Sequence, residues 1–368
     1  MPDWLATIIQ TFLRFVPFPA TPGLQRLGRP GRDAPVLVTC NFDLTVRRVR
    51  RALRGLDCYL LVCHSKGINV WCAASAGHFS AHSVISELKR SEIDQLVDHR
   101  ELILPQFSAP GIDTERIARE TGWTCKFGPA YARDIPVYLA VGEATPQMRL
   151  ARFPLRDRLE MASMWGFPFS LVLVAILLLT GQAAHIPAMM ALVWAISLTM
   201  FVGFHLLERI SWLPTGLHKA LLVGAVAMLV VLLWGGLAGN WPMGRFIRWS
   251  VASLGIALMT GIDFEGMSPH LPAALLAYWG RRFPSFLRGL ARIGFDVGHS
   301  FALSLSRDRC TGCGRCLDVC PRAVYAMDVI GEQRLSRLAD PDACELCAAC
   351  VRQCPAGAII ADPPVRQF

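Results

Sequence analysis

Between Glu160 and Glu208 the chain carries no Asp, Glu, Lys or Arg for 47 residues, 161 to 207. A helix needs about 17–25 predominantly apolar residues to cross a bilayer, so this gap has room for two spans. A weakly polar break at 180–187 divides it into 164–180 and 186–207. Lys219 and Arg245 enclose a further 25 uncharged residues, which gives a third span near 220–238. A fourth, 246–262, contains Arg248 and depends on that side chain snorkelling to the interface. The later run 271–279 is too short to cross. Arg149, Arg152, Arg156 and Arg158 precede the first span, and Arg281, Arg282, Arg288 and Arg292 follow the last. The positive-inside rule then puts both soluble ends in the cytoplasm and requires an even number of spans, although Arg245 and Arg248 oppose this weakly. Four spans are expected, in the cytoplasmic membrane, with lipid as a partner. Composition agrees: 53% of residues are hydrophobic and 18% charged, against about 25% charged in a soluble protein. A wholly soluble or disordered chain is excluded. The net charge of +9 follows the arginines around the spans. No recognition motif accompanies it, so no nucleic-acid partner is expected.

The other segments read differently. In 1–30, Trp4, Leu5, Ile8, Ile9, Phe12 and Leu13 recur at helical spacing, which predicts a short amphipathic docking helix ending before Pro17 and Pro19. Asp3 sits where an export signal would be positive, and no small-residue cleavage site follows. Over 31–158 the apolar runs 36–40, 59–63 and 102–104 have the character of buried parallel strands. Charged helical stretches at 44–54, 83–90 and 113–121 alternate with them, which predicts a small doubly wound sheet with ligands at the strand ends. The membrane domain takes 159–265, with Asp263 and Glu265 solvated at its end. A basic amphipathic linker over 266–304 repeats Phe283, Phe286, Leu287 and Leu290 at helical spacing. It is a basic flank of the membrane domain, with a lipid-surface helix as the alternative.

Thirteen cysteines in a chain without an export signal point to metal or redox chemistry. Eight of them form a repeat: Cys310, Cys313, Cys316 and Cys320 before Pro321, then Cys344, Cys347, Cys350 and Cys354 before Pro355. This spacing is that of bacterial two-cluster ferredoxins, in which the fourth cysteine of each run ligates the other cluster. Two 4Fe–4S clusters are expected in 305–368. Cluster one takes Cys310, Cys313, Cys316 and Cys354; cluster two takes Cys344, Cys347, Cys350 and Cys320. Two zinc ions would not need this twofold repeat.

Of the remaining five cysteines, Cys40, Cys58, Cys63 and Cys125 lie in or beside apolar strands and read as small core residues. Cys72 follows the second strand in the run Asn69-Val70-Trp71-Cys72-Ala73-Ala74, where a ligand-binding loop or helix start belongs. The alternative is an inert thiol beside a buried aromatic residue. His78 and His82 are four apart, but with no third ligand in view they read as solvated or hydrogen-bonded.

The run at Cys72 resembles the signature of the corrinoid protein of microbial mercury methylation, Asn-(Val/Ile)-Trp-Cys-Ala-(Ala/Gly)-Gly-Lys, whose broader kin are the corrinoid subunits of acetyl-CoA decarbonylase/synthase. The resemblance extends through 105–111, 127–129 and 152–158 into the membrane domain, and the C-terminal domain resembles that family's separate ferredoxin partner, here fused. It implies a multidomain fold: an α/β Rossmann-like corrinoid-type domain, a helical transmembrane domain and an α+β two-cluster ferredoxin domain. It also implies a corrinoid cofactor, with Cys72 as the lower axial ligand of cobalt and Asn69, Val70, Trp71, Ala73 and Ala74 forming the cap around it. A soft thiolate there favours departure of the methyl group in a form other than a cation. The ferredoxin would return cobalt to its Co(I) state. Two departures stand out: Ser75-Ala76 replaces Gly-Lys, and residues 356–368 lack the extra cysteines of the family's ferredoxin.

The expected function is that of a membrane-bound corrinoid iron–sulfur protein that transfers a methyl group, with mercury(II) one acceptor to consider. Its partners would be a methyl-donor protein or methylated cofactor and a low-potential electron donor. The alternative is a membrane-anchored 4Fe–4S electron-transfer protein whose α/β domain binds no corrinoid. Cobalt separates the two.

Overall fold

The computed structural model describes residues 3–14, 16–210, 216–237, 241–261, 302–331, 333–344 and 347–362. Asp263, Glu265, the run 271–279 and residues 266–301 of the expected linker lie outside the described residues. The chain divides into two compact units. One takes the described residues up to Val16 and those from Arg152 to Gly261; the other takes Pro17–Ala151 and the described residues from Ala302 onward.

The helical unit begins with α1 (Asp3–Phe12). Phe12 meets Phe167 edge-on with ring centres 5.3 Å apart. Arg14, just beyond the helix, reaches the buried carboxylate of Glu160 at 3.4 Å, and Arg156 holds the same carboxylate at 3.1 Å. A carboxylate taken out of water needs such partners.

The second unit starts with the edge strand β1 (Gly23–Leu27), followed by β2 (Val36–Cys40), α2 (Asp43–Ala52), β3 (Cys58–Cys63), α3 (Val70–Ser75) and α4 (Ala81–Ser91). Next come β4 (Glu101–Leu104), α5 (Thr114–Thr121), β5 (Thr124–Phe127), α6 (Ile135–Val141) and α7 (Pro146–Arg149). The five strands lie in the order β1-β3-β2-β4-β5, with β1 antiparallel and the rest parallel. Every residue of β2 and β3 is buried. Val84, Ile85 and Leu88 of α4 and Ile117 of α5 cover one face; Val46 and Val49 of α2 and Ile135 and Tyr138 of α6 cover the other. This is the expected doubly wound sheet. Residues 23–27 belong to it as an edge strand and not to the N-terminal segment, and β5 adds a strand beyond the three that the apolar runs predict.

In the helical unit α8 (Leu155–Leu179), α9 (Ile186–Val202), α10 (Phe204–Glu208), α11 (Gly216–Leu237) and α12 (Met243–Gly261) follow. Three segments, Leu155–Leu179, Ala183–Val202 and His218–Leu237, are long and apolar enough to cross a membrane. The fourth expected span forms the helix α12, but Arg245 and Arg248 in its first turns keep it out of that set. Large apolar side chains on these helices face outward, with Leu179 88% and Leu237 89% exposed. An apolar surface of this kind is compatible with membrane association.

The cysteine-rich module has two antiparallel pairs, β6 (Ala302–Leu305) with β9 (Ile359–Asp362) and β7 (Tyr325–Ile330) with β8 (Gln333–Leu338). Between them lie two short helices, α13 (Arg315–Val319) and α14 (Ala349–Gln353).

The loop after β3 depends on one side chain. Asn41, at the end of β2, accepts hydrogen bonds from Ser65 N at 2.8 Å, Ser65 Oγ at 2.9 Å and Gly67 N at 3.0 Å, and donates to Ala20 O at 3.1 Å. Asn41→Ala leaves buried donors unpaired, an effect of about 1–3 kcal/mol. Its thermal unfolding, followed by circular dichroism on detergent-purified protein, should begin at a lower temperature.

Candidate functional site

Parallel pairing brings the segments after β2, β3, β4 and β5 to one end of the sheet. The segment after β3 becomes α3, a short helix whose N-cap is Asn69. Asn69 Oδ1 accepts from Cys72 N at 3.0 Å, and its amide donates to Cys72 Sγ at 3.4 Å. One side chain therefore both starts the helix and orients the sulfur. Ala73 and Ala74 are fully buried beneath it, and Val70 packs on the sheet core. Cys72 itself is half-exposed.

Trp71 points away from solvent and stacks on Phe107, with centres 4.5 Å apart and planes 1° from parallel. Phe107 belongs to the turn after β4 and meets Tyr131 edge-on at 6.4 Å. The Arg133 guanidinium lies 5.0 Å from the centre of the Tyr131 ring. Gly111, in the same turn as Phe107, rests directly on α3. A Cβ at Gly111 would lie 2.5 Å from the carbonyl oxygens of both Ala74 and Phe79, closer than any side chain allows. Ser75 closes the helix, buried, and among the described residues its hydroxyl has no hydrogen-bond partner.

The other thiols of this domain are chemically quiet. Burial pushes Cys40 and Cys58 up to about 11 and Cys125 up to about 12, and it raises Cys63 well above the ordinary thiol range. Cys40, Cys58 and Cys63 are the buried core residues that the sequence suggests, and Cys125 packs against that core while only partly buried. His78 and His82 gain no third ligand: among the described residues no three His, Cys, Asp or Glu converge on a single metal ion.

In the cysteine-rich module Cys320, Cys344, Cys347 and Cys350 line one cavity, together with Tyr325 and Ala348. Tyr325 donates to Cys350 Sγ at 3.1 Å. Cys310, Cys313 and Cys316 form the matching loop, with Cys316 Sγ 3.1 Å from Ser336 Oγ. The repeat is visible in the backbone. Gly314 and Ala348, at equivalent places, are both left-handed with φ of 74° and 62°. Cys320 accepts from Val324 N at 3.4 Å and Cys354 from Ala358 N at 3.2 Å, each four residues on. Four thiols around one cavity, with amides donating to sulfur, suit the donor needs of an iron–sulfur cluster.

The module packs against the sheet domain beside α3. Gln106 Nε2 donates to Asp318 O at 2.7 Å, and Arg149 pairs with the Asp318 carboxylate. Ala151 N donates to Pro321 O at 3.0 Å. Gln353 Nε2 donates to Ala109 O at 2.9 Å and Ile112 O at 2.6 Å, while its oxygen accepts from Thr114 Oγ1 at 3.0 Å. Ala109 is fully buried in the module's own apolar cluster. Sequence reading found neither this seam nor the roles of Asn41, Phe107 and Gly111. Asn41 directly follows a buried strand, and Phe107 and Gly111 lie in the run 105–111 that the family resemblance includes.

These features define an α/β domain with a half-exposed, amide-oriented thiol at its strand ends, joined to a two-cluster ferredoxin-like module. Comparison with known families agrees. Residues 6–139 match the CO dehydrogenase/acetyl-CoA synthase delta subunit family, and residues 309–358 match the 4Fe-4S dicluster domain. The acetyl-CoA decarbonylase/synthase complex subunit gamma of Methanopyrus kandleri is 35% identical over 121 residues, covering 32% of this chain and 26% of that protein. The same subunit of Archaeoglobus fulgidus is 35% identical over 115 residues, 31% of this chain and 24% of its own. The corrinoid/iron-sulfur protein large subunit of Moorella thermoacetica is 28% identical over 125 residues, 33% and 28% respectively. The chain thus spans about a quarter of the length of the curated relatives it matches.

Two measurements check the site. Gly111→Ala should displace the turn from α3 and lower stability by about 1–3 kcal/mol, read by chemical denaturation. In protein free of corrinoid, alkylation at pH 8 should label Cys72 first among the five sheet-domain cysteines. A thiol raised to about 11 is ionised there in roughly one molecule per thousand, so Cys40 and Cys58 should react only as the pH rises toward 11. Peptide mass spectrometry would show the order.

Proposed function

We propose that this chain is a membrane-bound corrinoid iron–sulfur protein that transfers a methyl group. The observation that carries this reading is Cys72, half-exposed at the strand ends and oriented by Asn69. A corrinoid, when bound, supplies a cobalt that can carry a methyl group, and the clusters supply single electrons at low potential. The chain's own residues do the rest. Cys72 would ligate the cobalt through its sulfur, and a soft thiolate there would donate charge toward the metal. Asn69 keeps that sulfur in place as an outer-shell hydrogen-bond donor does. Trp71 and Ala74 hold α3 against the turn after β4, and Ala73 packs in the sheet core, so the fold would keep the thiol in place while the bound group reacts.

Cys310, Cys313, Cys316 and Cys354 hold one cluster, and Cys344, Cys347, Cys350 and Cys320 hold the other. The helical unit anchors the chain in the cytoplasmic membrane with four crossings and both soluble domains inside. A methyl-donor protein or methylated cofactor and a low-potential donor complete the cycle. Mercury(II) is one acceptor to assay.

Metal analysis and an optical spectrum on protein purified without oxygen from a corrinoid-supplied host test this. The expected result is about one cobalt and about eight irons per chain, with a corrin band that shifts in Cys72→Ala while iron stays constant. About eight irons and no cobalt after corrinoid is added would leave a membrane-anchored electron-transfer protein. Unchanged cobalt spectra in Cys72→Ala would remove the ligand assignment.

A further inference from the structure

The module meets the sheet domain through two ends that are not equivalent. Pro321, next to Cys320, bonds to Ala151, on the chain that leaves α7. Gln353, next to Cys354, bonds to the turn that lies on α3. It is 3% exposed, and its amide meets three partners across the seam: Ala109 O, Ile112 O and Thr114 Oγ1. Gly111, between those two carbonyls in sequence, is the residue pressed onto Ala74, two positions from Cys72. From Cys354 to Cys72 the path runs through one peptide link, the Gln353 side chain, its hydrogen bond to Ile112 O, the backbone back to Gly111, the contact with Ala74 and the backbone of a short helix. A second route starts at Asp318, two residues from Cys316 and two from Cys320: its carbonyl accepts from Gln106, whose neighbour Phe107 stacks on Trp71 of α3.

Resting on the corrinoid reading above, we infer that the cluster held by Cys310, Cys313, Cys316 and Cys354 is the exit cluster, and that Gln353 is the positioning residue that fixes it against the Cys72 cap. Electrons enter from a low-potential one-electron donor at the cluster of Cys344, Cys347, Cys350 and Cys320. In the exit step the reduced cluster loses one electron and cobalt(II) gains it to become cobalt(I). Cobalt(I) holds axial donors weakly, so the Cys72–cobalt bond would open with its electron pair staying on the sulfur, and no proton moves.

The test uses full-length protein loaded with clusters and corrinoid, pulsed with titanium(III) citrate. Paramagnetic resonance follows the clusters, and absorbance follows cobalt. Gln353→Leu removes the amide at similar size, and Gln353→Glu sets a carboxylate against two carbonyls. Both should slow internal transfer at least tenfold with iron and cobalt contents unchanged, and both should speed hydrogen exchange at 109–112. Cys347→Ala, which removes the entry cluster, should keep transfer from the remaining cluster; Cys313→Ala should lose it. If a variant sheds all its iron, Thr114→Ala decides: it removes one of the three bonds and should slow transfer two- to threefold. Wild-type rates in Gln353→Leu, in Thr114→Ala or in Cys313→Ala overturn the inference. Wild-type protein that takes up no cobalt overturns the corrinoid reading, and this inference with it. Cobalt bound with transfer that ignores Gln353 overturns this inference alone.

Discussion

The backbone contact between Gly111 and Ala74 is the constraint on which the arrangement of the site depends. It exists because the parallel sheet delivers the segments after β3 and β4 to the same edge, and because position 111 has no side chain. With the turn laid directly on α3, Phe107 comes within stacking distance of Trp71, and the carbonyls of Ala109 and Ile112 turn outward to be bonded by another domain. A bulkier residue at 111 would lift the turn and loosen all of these contacts together. The thiol of Cys72 is therefore held from beneath by tertiary packing, which suits a helix of only six residues that has little stability alone.

That same turn helps join the sheet domain and the cysteine-rich module into one compact unit. The seam is built mainly from buried amides and carbonyls, with the Arg149–Asp318 pair and the more exposed Arg315–Glu115 pair, 3.6 Å apart, near its edges. Exposed pairs of this sort add little, whereas a buried amide with all its bonds made is costly to disrupt. Hydrogen bonds from Gln106 and Gln353 also demand specific geometry, so they fix register as well as proximity. Covalent fusion raises the local concentration of one module at the other, and the seam turns that proximity into one orientation.

How much of this was legible in the sequence follows from where each signal lives. β2, β3 and β4 were legible because strands covered on both faces are continuous apolar runs. β1 and β5 were not: they are edge strands, and Arg26 and Lys126 interrupt them. The cysteine repeat was legible because ligand spacing is local, and Cys72 because it lies in a compact motif. α12 was legible as a helix, but its arginines separate helical length from apolar composition. Phe107 and Gly111 lie in the run 105–111 that the family resemblance includes, but their contacts, like those of Gln353, are with residues distant in the chain, so local spacing does not give their roles. Gln353 illustrates the difficulty. In sequence it is a polar residue beside a cysteine ligand, with no periodic or motif signal of its own.

The polar seam bears on why a mobile tether would not serve the same chemistry. Electron transfer between fixed centres weakens steeply with distance and does not need the centres to touch, so under the function proposed above the fold would have to hold a separation. A purely apolar interface of similar area could slide, because apolar contact is nearly non-directional. Gln353 cannot slide without leaving the Ala109 and Ile112 carbonyls and its own amide unpaired in a buried place. Its position next to Cys354 carries that restraint to the sulfur within one residue. On the other side, Gly111 carries it to α3 through a contact with no flexible side chain between the two backbones. The polar seam thus sets the separation between the ends that matter, and the apolar packing around Ala109 excludes the water that would compete for those bonds.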